Sequence, residues 1–252
     1  MPDGKVVAIH QPNFFPWLGY FNKIAHADVF VILDNVQFSK TGGTWSNRVR
    51  LTVNGTPNWV TMPVVRTYEG VRLIQDMAIR ETGWRPKLLQ TLHHSYKQAA
   101  FFNEVYPVLA TLIENPTDRV VDYNVHAIRS LARLFEWDDS KFVLGSALNV
   151  EGKATDLLIA IVKAVGGTAY LCGGGATDYQ EDEKFAAEGL RLIYQDFRHP
   201  LYQQGAGTAF TPGLSIIDAL MHCGFSGTHQ LITTSEPTSS SKATSGRPVA
   251  AR

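Results

Sequence analysis

Val6-Val7-Ala8-Ile9-His10-Gln11-Pro12-Asn13-Phe14-Phe15-Pro16-Trp17 is the stretch that decides the fold. Val6 to Ile9 reads as a short buried strand, because the run is apolar and rich in β-branched residues. It stops abruptly at polar groups and at two prolines, Pro12 and Pro16. Trp17 to Ala27 then reads as a helix and Asp28 to Leu33 as a second apolar strand. That strand also ends in polar residues: Asp34, Asn35, Gln37, Ser39 and Lys40. Open α/β sheets place ligands beyond the carboxyl ends of their strands. His10, Asp34 and Gln37 are therefore expected to line one pocket, with Gln11 and Asn13 as substrate contacts. Taken singly, either cluster reads as well as a turn whose polar side chains cap a strand end.

Outward from this unit the pattern changes. From Asn47 to Val53, Val49, Leu51 and Val53 alternate with Arg48, Arg50 and Thr52, a period of two. Asn54-Gly55 is a hairpin signal, and Trp59 to Val65 returns as the second strand. A third extended piece near Val71 to Ile79 is expected to complete a small antiparallel sheet. Residues of about 84–136 read as helices: Pro86 to Tyr96, then Phe102 to Ile113 with Pro107 starting or kinking it, then a helix capped by Thr117. Beyond them the chain returns to strand, helix, strand, helix, strand: Phe142 to Leu144, a helix capped by Thr155 and ended by Gly166-Gly167, Ala169 to Leu171, Glu181 to Ala187, and Leu190 to Tyr194. Such spacing marks parallel βαβ units. Ser215 is expected to cap a last helix, Ile216 to His222, ended by Gly224. The expected class is α/β: parallel βαβ units at both ends, a small antiparallel hairpin sheet and a helical middle. Residues 1–232 form one domain in this reading. Residues 233–252 carry too little apolar surface to offset their ordering entropy and read as a disordered tail.

Composition narrows the function. The chain has 252 residues, a formal net charge of zero and 44% hydrophobic residues, enough for a packed core. A neutral balance argues against a nonspecific nucleic-acid binder, which needs a basic surface. No apolar run reaches membrane-spanning length, and Pro12 and Asn13 interrupt any signal-type run. With only Cys172 and Cys223, the chain has no disulfide framework, which favours a cytoplasmic setting.

Among candidate chemical groups, Cys172 precedes three glycines at a strand end. The glycines allow close backbone approach to a ligand, and the thiol is a candidate nucleophile. The run matches neither the phosphate-loop nor the dinucleotide fingerprint, so a plain turn is at least as good a reading. Eight histidines include no pair with strong metal spacing: His93 and His94 point about 100° apart on a helix. No metal is expected, and no cofactor is indicated. Asp178, Tyr179, Tyr202 and Gln203 are loop residues that a cleft between the two α/β halves would gather. Asn47 and Arg48 open the hairpin. If their face looks into the cleft, Arg48 grips a carboxylate or phosphate through its planar fork.

The strings Ile9-His10-Gln11-Pro12-Asn13-Phe14-Phe15-Pro16-Trp17-Leu18-Gly19-Tyr20-Phe21, Asp28-Val29-Phe30-Val31-Ile32-Leu33-Asp34-Asn35-Val36-Gln37-Phe38 and Asn47-Arg48 resemble the WbqC-like protein family. So do Tyr170-Leu171-Cys172-Gly173, Asp178-Tyr179, Pro200-Leu201-Tyr202-Gln203 and Leu214-Ser215-Ile216-Ile217-Asp218. The resemblance implies a bacterial source, an association with polysaccharide or specialised-metabolite biosynthesis, and acyl or aminoacyl transfer to a sugar or amine. It fixes no catalytic residue. A weaker likeness is to the opening of nucleotidylyltransferase-type folds, but Trp17-Leu18-Gly19-Tyr20 stands where those carry a histidine pair. On physical grounds His10 is expected to act as general base, Asp34 to orient it, and Gln37, Asn47 and Arg48 to hold a small-molecule substrate, a sugar or a carrier-linked intermediate. A noncatalytic binding protein and a nucleotide-dependent ligase remain open beside this reading.

Overall fold

Five short parallel strands form the central sheet of the computed structural model, which describes residues 4–41, 44–173, 181–205 and 209–234. They are β1 (Val6–His10), β2 (Val29–Ile32), β5 (Phe142–Leu144), β6 (Ala169–Cys172) and β7 (Arg191–Tyr194), in the order β5-β2-β1-β6-β7. A separate antiparallel pair consists of β3 (Arg48–Val53) and β4 (Thr56–Thr61). The helices are α1 (Leu18–Ala25), α2 (Trp84–Tyr96), α3 (Phe102–Ile113), α4 (Val120–Leu134), α5 (Ala154–Ala164), α6 (Asp182–Ala187) and α7 (Ile216–Thr233). The protein is thus α/β, with parallel units at both ends and the hairpin and three helices between them.

The side-chain period of two builds two cores on opposite faces of this sheet. Ala8, Phe30, Ile32 and Leu171 pack in one, with residues of α1 and α7. Val7, Ile9, Val29, Val31, Tyr170 and Cys172 pack in the other, against Ile159, Ile161 and Val162 of α5 and Phe185 of α6. Every residue of β2 and β6 is buried, whereas those of the edge strands β5 and β7 are half-buried. Strands covered on both sides read as continuous apolar runs for this reason.

The order of the sheet places the site. From β1 the chain winds outward through β2 to β5, then returns to lay β6 on the other side of β1. The winding direction therefore reverses between β1 and β6, and the loops that follow these two strands diverge. Crevices at such a reversal, beyond the carboxyl edge, are where doubly wound sheets bind ligands.

The hairpin turn is as expected: Asn54 and Gly55 have φ of 51° and 76°, the left-handed pair of a two-residue turn. Four local expectations are corrected. The segment near Val71 to Ile79 is no third strand of the hairpin sheet. It holds a 3-10 turn, Ile74–Asp76, and its backbone is drawn to the loop after β2, with Ile74 N donating to the Val36 carbonyl at 2.9 Å and Gln75 N to that of Asp34 at 2.9 Å. Thr155 lies inside α5 rather than capping it, and its hydroxyl accepts from Glu181 N. Arg119 occupies the cap position of α4, with the Thr117 hydroxyl accepting from its N–H. Gly224 does not end α7. It does end the first helical run, with non-helical φ of 69° and ψ of −176°, as expected, but that run is not the last, because a second follows to Thr233. Ile232 is fully buried and its carbonyl accepts from Asn22 Nδ2 at 2.7 Å, so the final turns belong to the core. Of the expected tail, only residues 233 and 234 are described.

Candidate functional site

The turn after β1 is fixed from three sides. Phe15 is fully buried with φ of 40°, a conformation unusual for a bulky residue. Ser215, whose hydroxyl caps α7 by accepting from Ile217 N, donates that same hydroxyl to the Phe15 carbonyl at 2.7 Å. Phe14 N donates to the Trp45 carbonyl at 2.8 Å, and Asn124 Nδ2 reaches both the Pro12 and the Ser46 carbonyls. A strained turn tied this firmly can hold side chains at defined positions.

Below it, a cleft of about 630 Å³ opens at the sheet reversal. Its walls come from the end of β1 (Ile9, His10, Gln11), from α1 and its cap (Trp17, Gly19, Tyr20, Lys23), and from the loop after β2 (Leu33, Val36). Gly173, Gln195 and Phe197 follow β6 and β7, and Ala154, Leu157 and Leu158 complete the cleft from α5. Gly19, Tyr20 and Lys23 share one side of α1 because residues three and four apart are neighbours on a helix.

Lys23 is only 4% exposed, and among the described residues its ammonium donates one hydrogen bond, to the Ile9 carbonyl at 3.3 Å. Among the described residues no carboxylate pairs with it. Burial lowers its pKa from 10.5 to about 8, opposed by the neighbouring Cys172. A buried ammonium that faces a cleft is suited to an anionic ligand.

His10 meets Tyr20 at 4.6 Å between ring centroids, and its Nδ1 lies 3.2 Å from the Gln11 carbonyl. Burial, helped by the Lys23 charge, lowers its pKa to about 3 against that hydrogen bond. The ring is therefore neutral at physiological pH. A carbonyl can only accept, so Nδ1 carries the proton and Nε2 presents a lone pair. The tautomer is thus set by a backbone carbonyl.

The sequence-derived site residues divide. His10 and Gln11 line the cleft. Asp34 sits at the same sheet edge, but its carboxylate accepts from Ser146 N at 2.8 Å and Ser146 Oγ at 2.7 Å. The Gln11 carbonyl occupies the place beside Nδ1 that was expected for Asp34. Gln37 is exposed in the loop beyond. Asn47 is buried and donates to the Met62 carbonyl, while the Arg48 guanidinium lies 4.2 Å from the centroid of the Trp59 ring; neither lines the cleft. Cys172 packs in the core facing α5 and α6, its thiol 3.4 Å from the Ile193 carbonyl. Tyr202 donates to Asp218 at 2.9 Å, and Gln203 is exposed. Asp178 and Tyr179 lie outside the described residues, as do Gly174 and Gly175.

Asn13 borders a second hollow of about 320 Å³, which shares His10 and Trp17 with the main cleft. Sequence reading missed Lys23, Tyr20, Trp17 and Gln195. One signal was available: Lys23 interrupts an otherwise apolar stripe in Leu18-Gly19-Tyr20-Phe21-Asn22-Lys23-Ile24-Ala25.

The family model described as the WbqC-like protein family matches residues 11–230. The chain belongs to the WbqC-like protein family. An uncharacterized relative, Rv1507c of Mycobacterium tuberculosis, is 29% identical over 224 residues, covering 87% of this chain and 94% of its own. No solved structure matches. In this WbqC-like protein no helix among the described residues is long and apolar enough to cross a membrane. Among the same residues no group of three histidine, cysteine or carboxylate side chains could hold a metal ion.

Proposed function

We propose that this WbqC-like protein is a biosynthetic enzyme that binds an anionic acyl or aminoacyl donor in the main cleft and transfers the acyl group to a hydroxyl or amine. One observation carries the reading: the buried Lys23 ammonium, which has no carboxylate partner among the described residues, lines the same cleft as a neutral His10 whose Nε2 is an acceptor. In this reading Lys23 attracts the donor and stabilises negative charge that develops on the acyl oxygen. His10 Nε2 takes the proton of the acceptor as its oxygen or nitrogen bonds to the acyl carbon. The leaving group departs with the electrons of the broken bond and receives that proton. The Gln11 carbonyl, which also accepts from Tyr20 Oη at 3.1 Å, then faces the imidazolium and stabilises it.

The geometry does not favour a nucleophilic cysteine, because Cys172 lies in a core and off the cleft wall. A binding-only role is the second reading. It is favoured by the low basicity of His10, which burial and Lys23 impose. The test is a thermal-shift screen of phosphate- and carboxylate-bearing acyl donors, repeated with Lys23→Met and His10→Asn. A donor at roughly 100 times its dissociation constant adds about 2.7 kcal/mol of stability. Loss of that shift in Lys23→Met is expected. Turnover abolished in His10→Asn with donor affinity intact supports the enzyme, and affinity intact with no turnover in the parent leaves a binder. A donor shift unchanged in Lys23→Met refutes the cleft assignment.

A further inference from the structure

Trp45 and Trp59 stand 43% and 45% exposed, with ring centroids 5.1 Å apart in an edge contact. Their place is held firmly: the Trp45 carbonyl is tied to Phe14, and Arg48 covers the ring of Trp59. Large indoles kept in solvent by anchored backbone leave apolar surface that a ligand can cover. Trp45 forms a wall of the second hollow, with His10, Asn13, Trp17, His199 and Gly213. Trp17 lies 5.1 Å from the His199 ring, centroid to centroid.

The polar groups of this hollow form a specific set. Asn13 is 3% exposed, and among the described residues its side-chain amide makes no hydrogen bond. His199 Nδ1 accepts from Gly213 N at 3.3 Å, and burial lowers the pKa of that ring. Its proton therefore sits on Nε2, which is free to donate. His10 offers the opposite, a lone pair on Nε2. Among the described residues no lysine, arginine, aspartate or glutamate lines these walls, which favours a ligand without charge. A purely apolar ligand leaves the Asn13 amide desolvated and unpaired, which costs about 1–3 kcal/mol. A ligand with an apolar face and donors and acceptors around its edge satisfies every wall.

We propose that this hollow is the acceptor subsite and takes a neutral saccharide, its apolar ring face on Trp45, its edge hydroxyls on Asn13 and His199, and one hydroxyl at His10 Nε2. The proposal rests on the transfer reading above and names its acceptor. A nucleoside would also stack and its ribose carries hydroxyls, so adenosine is the competing ligand that the test must reject. In the transfer, that hydroxyl oxygen bonds to the acyl carbon, its proton passes to Nε2, and the donor's leaving group departs with the electron pair and the proton. His10 and Trp17, common to both hollows, stand where donor and acceptor meet.

The test uses the full chain and a panel of neutral methyl glycosides, with adenosine as the contrasting ligand, read by saturation-transfer NMR and tryptophan fluorescence. The expected result is saturable glycoside binding with the ring C–H protons in closest contact. Trp45→Ala weakens it about tenfold or more, whereas Trp45→Phe, which keeps an aromatic face, largely preserves it. Binding of adenosine in preference to every glycoside, no saturable glycoside binding, or glycoside binding untouched by Trp45→Ala overturns the proposal. Protection by inorganic phosphate, measured on the same parent protein, reports the main cleft separately. A parent that answers to phosphate but to no glycoside sinks the saccharide subsite alone. One that answers to glycosides but not to phosphate sinks the anion reading alone.

Discussion

Replacing Lys23 by methionine is expected to stabilise the protein while removing its affinity for anions. The folded state lowers the lysine pKa from 10.5 to about 8, mainly through burial. At about 1.4 kcal/mol per pKa unit, holding the charged form costs the fold about 3 kcal/mol at pH 7. Methionine has a similar length and no charge, so it lifts that cost. It also loses the hydrogen bond to the Ile9 carbonyl, worth about 1 kcal/mol. The net gain is about 2 kcal/mol, or roughly 4–8 °C in Tm for a chain of this size. The pH dependence has a definite sign. A lysine whose folded pKa lies below its unfolded pKa destabilises in full below about 8, less between about 8 and 10.5, and not above 10.5. The advantage of Lys23→Met should therefore be largest at neutral pH and shrink to about half or less by pH 9.5. Urea melts of both proteins across that range, checked for equal m-values, measure it. A variant less stable than the parent at pH 7, or a difference that does not change with pH, would refute the claim that the fold carries an uncompensated ammonium here.

Anion binding should weaken as pH rises through about 8 in the parent, and bound anion should draw a proton onto Lys23 near that pH, visible as a buffer-dependent heat in calorimetry. Ser215→Ala removes both the cap of α7 and the tie to the strained Phe15; a loss of about 2 kcal/mol is expected in denaturant melts, and a loss under about 0.5 kcal/mol would show that the turn holds itself. Gly19→Ala places a methyl 2.2 Å from the Trp17 ring, so it should displace that indole and disturb ligand binding at both hollows; near-parental ligand affinities would remove Trp17 from the site. Ser146→Ala frees Asp34 of its hydrogen-bond partner side chain and should cost about 1 kcal/mol without moving the pH profile of turnover; a shifted profile would return Asp34 to a role beside His10.

The fold was legible where side-chain period and strand ends agreed. Val6 to Ile9 and Ala169 to Leu171 are strands buried on both faces, and such strands appear in sequence as unbroken apolar runs. Ser215 and Asn54-Gly55 carry their local geometry in their own chemistry. What escaped sequence reading depended on partners far along the chain. Gly224 looks like a helix stop, but the Phe101 side chain packs against its kink and Phe101 N donates to the Met221 carbonyl. Both groups come from the loop before α3, 123 positions earlier than Gly224. Val71 to Ile79 has strand-like composition, but its backbone is taken up by the loop after β2.

The site was legible by place and not by role. His10, Gln11 and Asn13 border the two hollows because β1 is the strand at which the sheet reverses its winding. Asp34 and Asn47 share the same region, yet the Asp34 carboxylate is engaged in holding Ser146 and the Asn47 amide nitrogen in holding the Met62 carbonyl. Sequence shows a carboxylate or a carboxamide at a strand end; it does not show whether another part of the chain has already claimed it. In sequence Lys23 shows only as a charged residue in a mostly apolar helical stretch, which marks its place and not its role. Its meaning comes from the end of β1, whose Ile9 carbonyl its ammonium reaches, and from the cleft that it lines. Among the described residues, the groups that face the two hollows without a protein counterpart of matching charge or polarity are the Lys23 ammonium, the His10 Nε2 lone pair and the Asn13 amide. Each is almost or partly enclosed, so each is costly to leave unmatched, and a single pair of ligands in contact across His10 would match all three.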